Sequence, residues 1–91
     1  MNNNHKYKVN IYYKDEVVSK YYLYTNNLLL KYRAFIELFN SNNKGEFTKI
    51  SLINRIKDKE IANIIYQPDK DNYKIEGGLL FRVYFNLYGE A

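Results

Sequence analysis

Positions 6–13 read KYKVNIYY, and their side chains alternate in character. Tyr7, Val9, Ile11 and Tyr13 share one parity, and Lys6, Lys8, Asn10 and Tyr12 share the other. That is the period of a half-buried strand. Lys14, Asp15 and Glu16 interrupt it, and VVSKYYLYT from Val17 alternates again, so residues 6–24 read as a hairpin. The linking residues are not the Asn-Gly or Asp-Gly of a tight primed turn, which points to a slightly longer loop. Within the second run, YYLY places bulky residues at four consecutive positions, Tyr21 to Tyr24. One face of a strand cannot bury all of them, so some must face something other than the core.

After Thr25, Asn26 and Asn27, whose side-chain oxygens can cap a helix start, the spacing becomes helical. Leu28, Tyr32, Phe35, Ile36 and Phe39 form an apolar stripe, with Lys31, Arg33, Glu37 and Asn40 turned to water. Of the consecutive Leu28, Leu29 and Leu30, one face cannot hold all three, and burial between sheet and a second helix is the reading adopted. The polar run Asn40 to Gly45 ends the helix. Residues 46–66 fit two readings. A helix from about Ser51 gathers Ile53, Ile56, Ile61 and Ile64, and this is the one taken. A hairpin of ISLINRI and IANIIY about KDKE competes with it. Beyond the loop at Pro68, YKIE reads as a short strand. Gly77-Gly78 reads as a turn, and LLFRVYFNLY, with strict alternation from Leu79, as a central strand. The expected class is α+β: a small antiparallel sheet of about four strands in the order ββα(α)ββ, with one or two helices on one face.

A chain of 91 residues is too short to split into two cored units, so 1–91 is read as one domain with 1–5 as a flexible leader. Cysteine is absent, which removes disulfides, thiolate metal sites and cysteine nucleophiles and fits a reducing, cytoplasmic setting. No stretch has membrane-spanning length or the form of a signal peptide, so no membrane role is expected. The abundance of Lys, Asn, Ile and Tyr is what AT-rich codons encode, which suits a phage or mobile element working in a host cytoplasm. Net charge is +4, and all of it sits in positions 1–33, where six basic residues face only Asp15 and Glu16.

Chemistry-bearing groups are few. His5 is the only histidine and lies in the leader, and no serine has a basic partner in reach of its context. DKDNYKIEG opens like a calcium loop, but Lys74 stands where that loop needs glycine and Leu80 where it needs a carboxylate. No enzyme, metal or cofactor is therefore expected. The outward parities instead suggest one surface: Lys8 and Tyr12 from the first strand, Lys20, Tyr22 and Tyr24 from the second, Arg82, Tyr84 and Tyr88 from the last. A plate of tyrosines and cations fits a protein partner with an acidic surface, which the chain would block or modulate. Single-stranded nucleic acid, stacked on the rings, is the first alternative. A structural homodimer is the second.

Overall fold

A computed structural model of the chain describes residues 5–25 and 27–89. In order it forms β1 (Tyr7–Tyr13), β2 (Glu16–Leu23), α1 (Leu28–Asn40), β3 (Lys49–Asn54), β4 (Lys59–Gln67), β5 (Asn72–Gly77) and α2 (Leu79–Tyr88). All strand pairs are antiparallel, in one five-stranded sheet of order β2-β1-β3-β4-β5. The α+β class, the antiparallel sheet and a pair of helices on it are as the sequence implied, although the second helix comes from another part of the chain. Residues 1–4 of the expected leader lie outside the described residues.

The first hairpin forms where the alternation placed it, but its turn is tighter than expected. Lys14 and Asp15 alone connect the strands, with Lys14 at φ 58°. An irregularity between Ile11 and Tyr12 then leaves Val18 as an extra residue on β2. Helix α1 begins under its cap as foreseen: Asn27 Oδ1 accepts from the Leu29 and Leu30 amides at 2.8 and 3.1 Å. One expected outward residue is buried instead. Lys31 is only 5% exposed, donating to the Tyr7 hydroxyl at 3.2 Å with its ammonium over the Tyr7 and Tyr32 rings. Leu29 and Leu30, expected to be covered, are exposed.

Residues 46–66 are not helical. They form the β3–β4 hairpin, because Ile50 with Leu52 and Ala62 with Ile64 alternate onto the core side of the sheet and because Asn54 builds the turn. Its Oδ1 accepts from the Ile56 and Lys57 amides, and Asp58 takes a left-handed φ of 51°. The second helix is instead the C-terminal run expected to be a strand. Apolar residues on both parities of LLFRVYFNLY satisfy helix and strand alike. The helix wins because Phe81 and Phe85, four apart, reach one hydrophobic gap: Phe81 packs 5.6 Å from Phe35 and Phe85 5.4 Å from Phe39.

Both helices cover one side of the sheet. Val9, Ile11, Ile50, Leu52, Ala62 and Ile64 project toward them, joined by Phe35, Phe39, Phe47 and Phe81 in one core. Each large side chain so buried contributes roughly 1.5–3 kcal/mol. Gly77 sits at the hinge between β5 and α2, where a Cβ would stand 2.7 Å from Phe81 Cδ2. The other side of the sheet has no element packed on it among the described residues.

Candidate binding surfaces

Strand register decides which side chains share the uncovered side. Opposite one another across the sheet stand Lys20, Asn10, Ser51, Asn63 and Glu76, one per strand. On one flank lie Tyr22, Lys8 and Ile53, and on the other Tyr12, Lys49, Ile65 and Lys74. The covered parity of the first hairpin is thus the expected one, and Lys8, Tyr12, Lys20 and Tyr22 do share the open face. Tyr24 lies past the end of β2 and is 85% exposed, with the His5 ring edge-on at 4.3 Å.

Arg82, Tyr84 and Tyr88 are not on that face. Because residues 79–88 are a helix on the covered side, the single plate expected from the sequence divides. Tyr84 is half-buried against Tyr32, at 6.4 Å between ring centroids. Tyr88 lies under the Arg33 guanidinium at 4.6 Å, and Arg82 is exposed. The same helix turns Leu79, Leu80, Val83 and Leu87 outward in an exposed apolar stripe.

The middle row of the open face has a property its composition did not announce. Asn10, Ser51 and Asn63 are 7%, 0% and 6% exposed although no helix covers them, since the taller flanking side chains wall them in. Asn63 Nδ2 donates to Glu60 Oε2 at 2.7 Å and to Glu76 Oε1 at 3.1 Å, which fixes the amide. Its Oδ1, the Asn10 Oδ1 and the Ser51 Oγ make no hydrogen bond. Buried polar atoms left without partners are costly and uncommon. The carboxylates beside them are already engaged: Glu60 with Lys49 at 3.2 Å and Glu76 with Lys74 at 3.4 Å. Burial alone would push the Glu60 carboxyl up, but the neighbouring Ser51, Asn63 and Lys49 together hold it below its ordinary value. The Asn63 amide, then Lys74, lower Glu76. The Ser51 hydroxyl is near enough to Glu60 for its O–H dipole to favour the carboxylate, although no hydrogen bond of good geometry closes between them.

A second feature lies at the sheet edge. The Lys6 and Tyr12 carbonyls accept from Arg55 and Thr48 on the β3 side, so even-numbered β1 residues turn their backbone toward β3 and odd-numbered ones toward β2. Residues 19, 21 and 23 of β2 therefore bond to β1, and the N–H and C=O of Lys20 and Tyr22 face outward from the edge. Beside them opens a groove of about 440 Å³ between the end of β2 and α1, lined by Tyr22, Tyr24, Leu30, Arg33, Ala34 and Glu37 among others. Val17, Val18, Tyr21 and Tyr22 are all more than 40% exposed along this strand. The other edge, β5, is guarded by the Lys74–Glu76 ion pair and runs directly into α2.

Among the described residues there is no cluster of His, Cys, Asp and Glu suited to a metal, and no helix long and apolar enough to cross a membrane. Comparison with known proteins adds no relative: no family model, curated protein or solved structure matches the chain. Sequence reasoning passed over Asn10, Ser51, Asn63, Lys49 and Arg55. The hairpin reading of 46–66 was the signal that could have found them, since pairing ISLIN with IANIIYQ lines Ser51 up with Asn63.

Proposed function

We propose that the chain is a non-enzymatic docking protein that takes an extended, acidic segment of a protein partner along the β2 edge. The observation carrying this reading is the long β2 edge, on which no element packs among the described residues and which opens onto the groove against α1. Strand addition there satisfies the outward backbone groups of Lys20 and Tyr22, each hydrogen bond contributing about 0.5–1.5 kcal/mol net. Alternate side chains of the added segment enter the groove beside Leu30 and Ala34, where Tyr22 and Tyr24 supply aromatic area. Lys8 and Lys20, bonded to no carboxylate among the described residues, favour an acidic segment and speed its approach. So small a footprint suits a reversible complex that masks or modulates its partner stoichiometrically. A cytoplasmic setting and a phage or mobile-element origin accord with the cysteine-free, AT-coded composition.

The test is a Lys20→Pro variant, which deletes an outward N–H without touching a bond to β1. Displayed random peptides selected on the parent protein should be acidic and alternating. Their binding should shift the Lys20 and Tyr22 amide resonances and vanish in Lys20→Pro while the variant still melts cooperatively. Peptides that bind Lys20→Pro as well as the parent reject the edge. A dimer in sedimentation that Lys20→Pro dissociates would assign the edge to a second copy of the chain.

A further inference from the structure

The row Asn10–Ser51–Asn63 is not explained by docking at the edge, because it crosses the face of the sheet on β1, β3 and β4. Three adjacent strands each offer one buried polar side chain with an unmet hydrogen-bonding atom. An enclosed row of this kind is stabilised by a ligand that brings donors to it. Two tyrosines of the same face stand on either side of it, Tyr22 two residues along from Lys20 and Tyr12 two along from Asn10. Cations accompany both rings: the Arg55 guanidinium is 4.7 Å from the Tyr22 centroid and the Lys49 ammonium 5.1 Å from that of Tyr12. Lys8, Lys20 and Lys74 add to them, against the carboxylates of Glu60 and Glu76, which already hold Lys49, Lys74 and Asn63. The face is therefore cationic at its flanks, aromatic beside its centre and rich in acceptors along its floor.

We propose that this open sheet face binds single-stranded nucleic acid. Bases stack on Tyr12 and Tyr22, and phosphates meet Lys8, Lys20 and Arg55. Base amino and imino N–H groups donate to Asn10 Oδ1 and Asn63 Oδ1, with the Ser51 hydroxyl between them able to donate or accept. The chemistry selects this ligand over others. A protein interface wants an apolar centre, and this centre is polar. A duplex hides the ring faces that tyrosines stack on and the base edges that the asparagines would read. The two proposals share the Lys20 and Tyr22 side chains, but only the edge uses their backbone groups and only the face uses Tyr12 and Arg55, so variants at those positions tell them apart.

The experiment is fluorescence anisotropy with labelled single-stranded DNA and RNA oligonucleotides of mixed sequence, with unlabelled duplex as competitor, across a salt series. Binding is expected to fall linearly in log–log form as salt rises. Tyr12→Ala should weaken it by roughly 5- to 100-fold, the range of one lost stacked base. Ser51→Ala, which carries little risk to folding, should weaken it by roughly 2- to 10-fold, the range of one lost hydrogen bond. Arg82→Ala, on the helix side, should leave it unchanged. Absence of binding at low salt overturns the proposal. So does binding that ignores both Tyr12→Ala and Ser51→Ala, or that duplex competes away equally, since either marks diffuse attraction to a basic chain. Retention of peptide binding by Tyr12→Ala, with oligonucleotide binding lost, would separate the face from the edge.

Discussion

Ser51→Ala should make the free protein more stable, which is the reverse of what deleting a buried side-chain atom usually does. Ser51 is fully buried in the central strand β3, and its hydroxyl makes no hydrogen bond. Holding a hydroxyl away from water without a partner costs about 1–3 kcal/mol by mutational measures. Removing one oxygen leaves a void of about 10–15 Å³, and at roughly 24 cal/mol per Å³ that returns only about 0.3 kcal/mol of instability. The balance is a gain of about 1–2 kcal/mol. In a domain of this size each kcal/mol moves Tm by about 4–8 °C, so a rise of roughly 5–15 °C is expected. Urea titration followed by circular dichroism should show a higher midpoint with unchanged slope. A loss of about 1 kcal/mol or more would refute the reasoning and show that the hydroxyl is bonded, with Glu60, whose carboxyl pKa it helps to lower, as its acceptor. The Glu60 carboxyl then reports independently. A large rise of its depressed pKa in the variant would mark a hydrogen bond donated by Ser51, and a small one the weaker pull of an unbonded hydroxyl. Set beside the expected loss of oligonucleotide affinity, a gain in stability would show that the hydroxyl is retained at a folding cost because something other than the fold needs it.

At the hinge into α2, Gly77→Ala should cost about 2–4 kcal/mol, because its Cβ would meet the Phe81 ring at 2.7 Å and φ is 157°; Gly78→Asp, at the N-cap of α2, should gain about 0.3 kcal/mol by capping it, as nothing lies within 4 Å of that Cβ. Equal melts for Gly77→Ala and the parent would reject the packing of Phe81 under the hinge. Acid should destabilise the fold. Glu60, Glu76 and Asp71 have folded-state values below their ordinary ones, Asp71 through Lys44 and then Tyr66. Their contribution is therefore full above the ordinary carboxylate range and is lost as pH falls through it toward the folded values. Urea midpoints should hold from neutrality to about pH 5 and decline below. Glu60→Gln should flatten that decline, and an undiminished acid limb in the variant would exclude Glu60 from it.

The first hairpin and α1 were legible because each satisfies one period only. Val9 and Ile11 alternate with Lys8 and Asn10, and Phe35, Ile36 and Phe39 fit no strand. Residues 79–88 were not legible in this way. With apolar residues at nearly every position, LLFRVYFNLY alternates and also gathers Phe81 and Phe85 on one helical face, so periodicity holds no information there. What decides is tertiary: the gap between α1 and the sheet takes two phenylalanines four apart, and the glycines at 77–78 allow the chain to turn into it. Residues 49–67 fell to the same ambiguity with the opposite outcome. There the evidence was local and readable, since Asn54 and Asp58 are suited to the turn they make. Both misreadings displaced the site. The C-terminal error put Arg82, Tyr84 and Tyr88 on a sheet they never join, and the other hid Ser51 and Asn63, which reach the open face only as strands.

The corrected topology changes what the tyrosines mean. Spread over one plate, they would form a broad apolar surface suited to a flat protein partner. Divided by α2, two of them remain on the open face, separated by a buried polar row, while Tyr84 and Tyr88 serve the helix layer. A surface with isolated rings, acceptors between them and cations around them is better matched to a flexible polymer of flat bases than to a rigid protein face. The proposed protein docking then falls to the backbone of β2, whose outward groups are indifferent to what the face binds. A strand added there would set its own side chain beside Lys20 and lengthen the row by one strand spacing, about 4.8 Å. Partner and nucleic acid would then meet on a continuous surface, and an acidic residue of the partner opposite Lys20 would compete with phosphate for that cation. The two ligands are therefore expected to bind together but to weaken one another modestly, and that antagonism should disappear when Lys20 is replaced by glutamine.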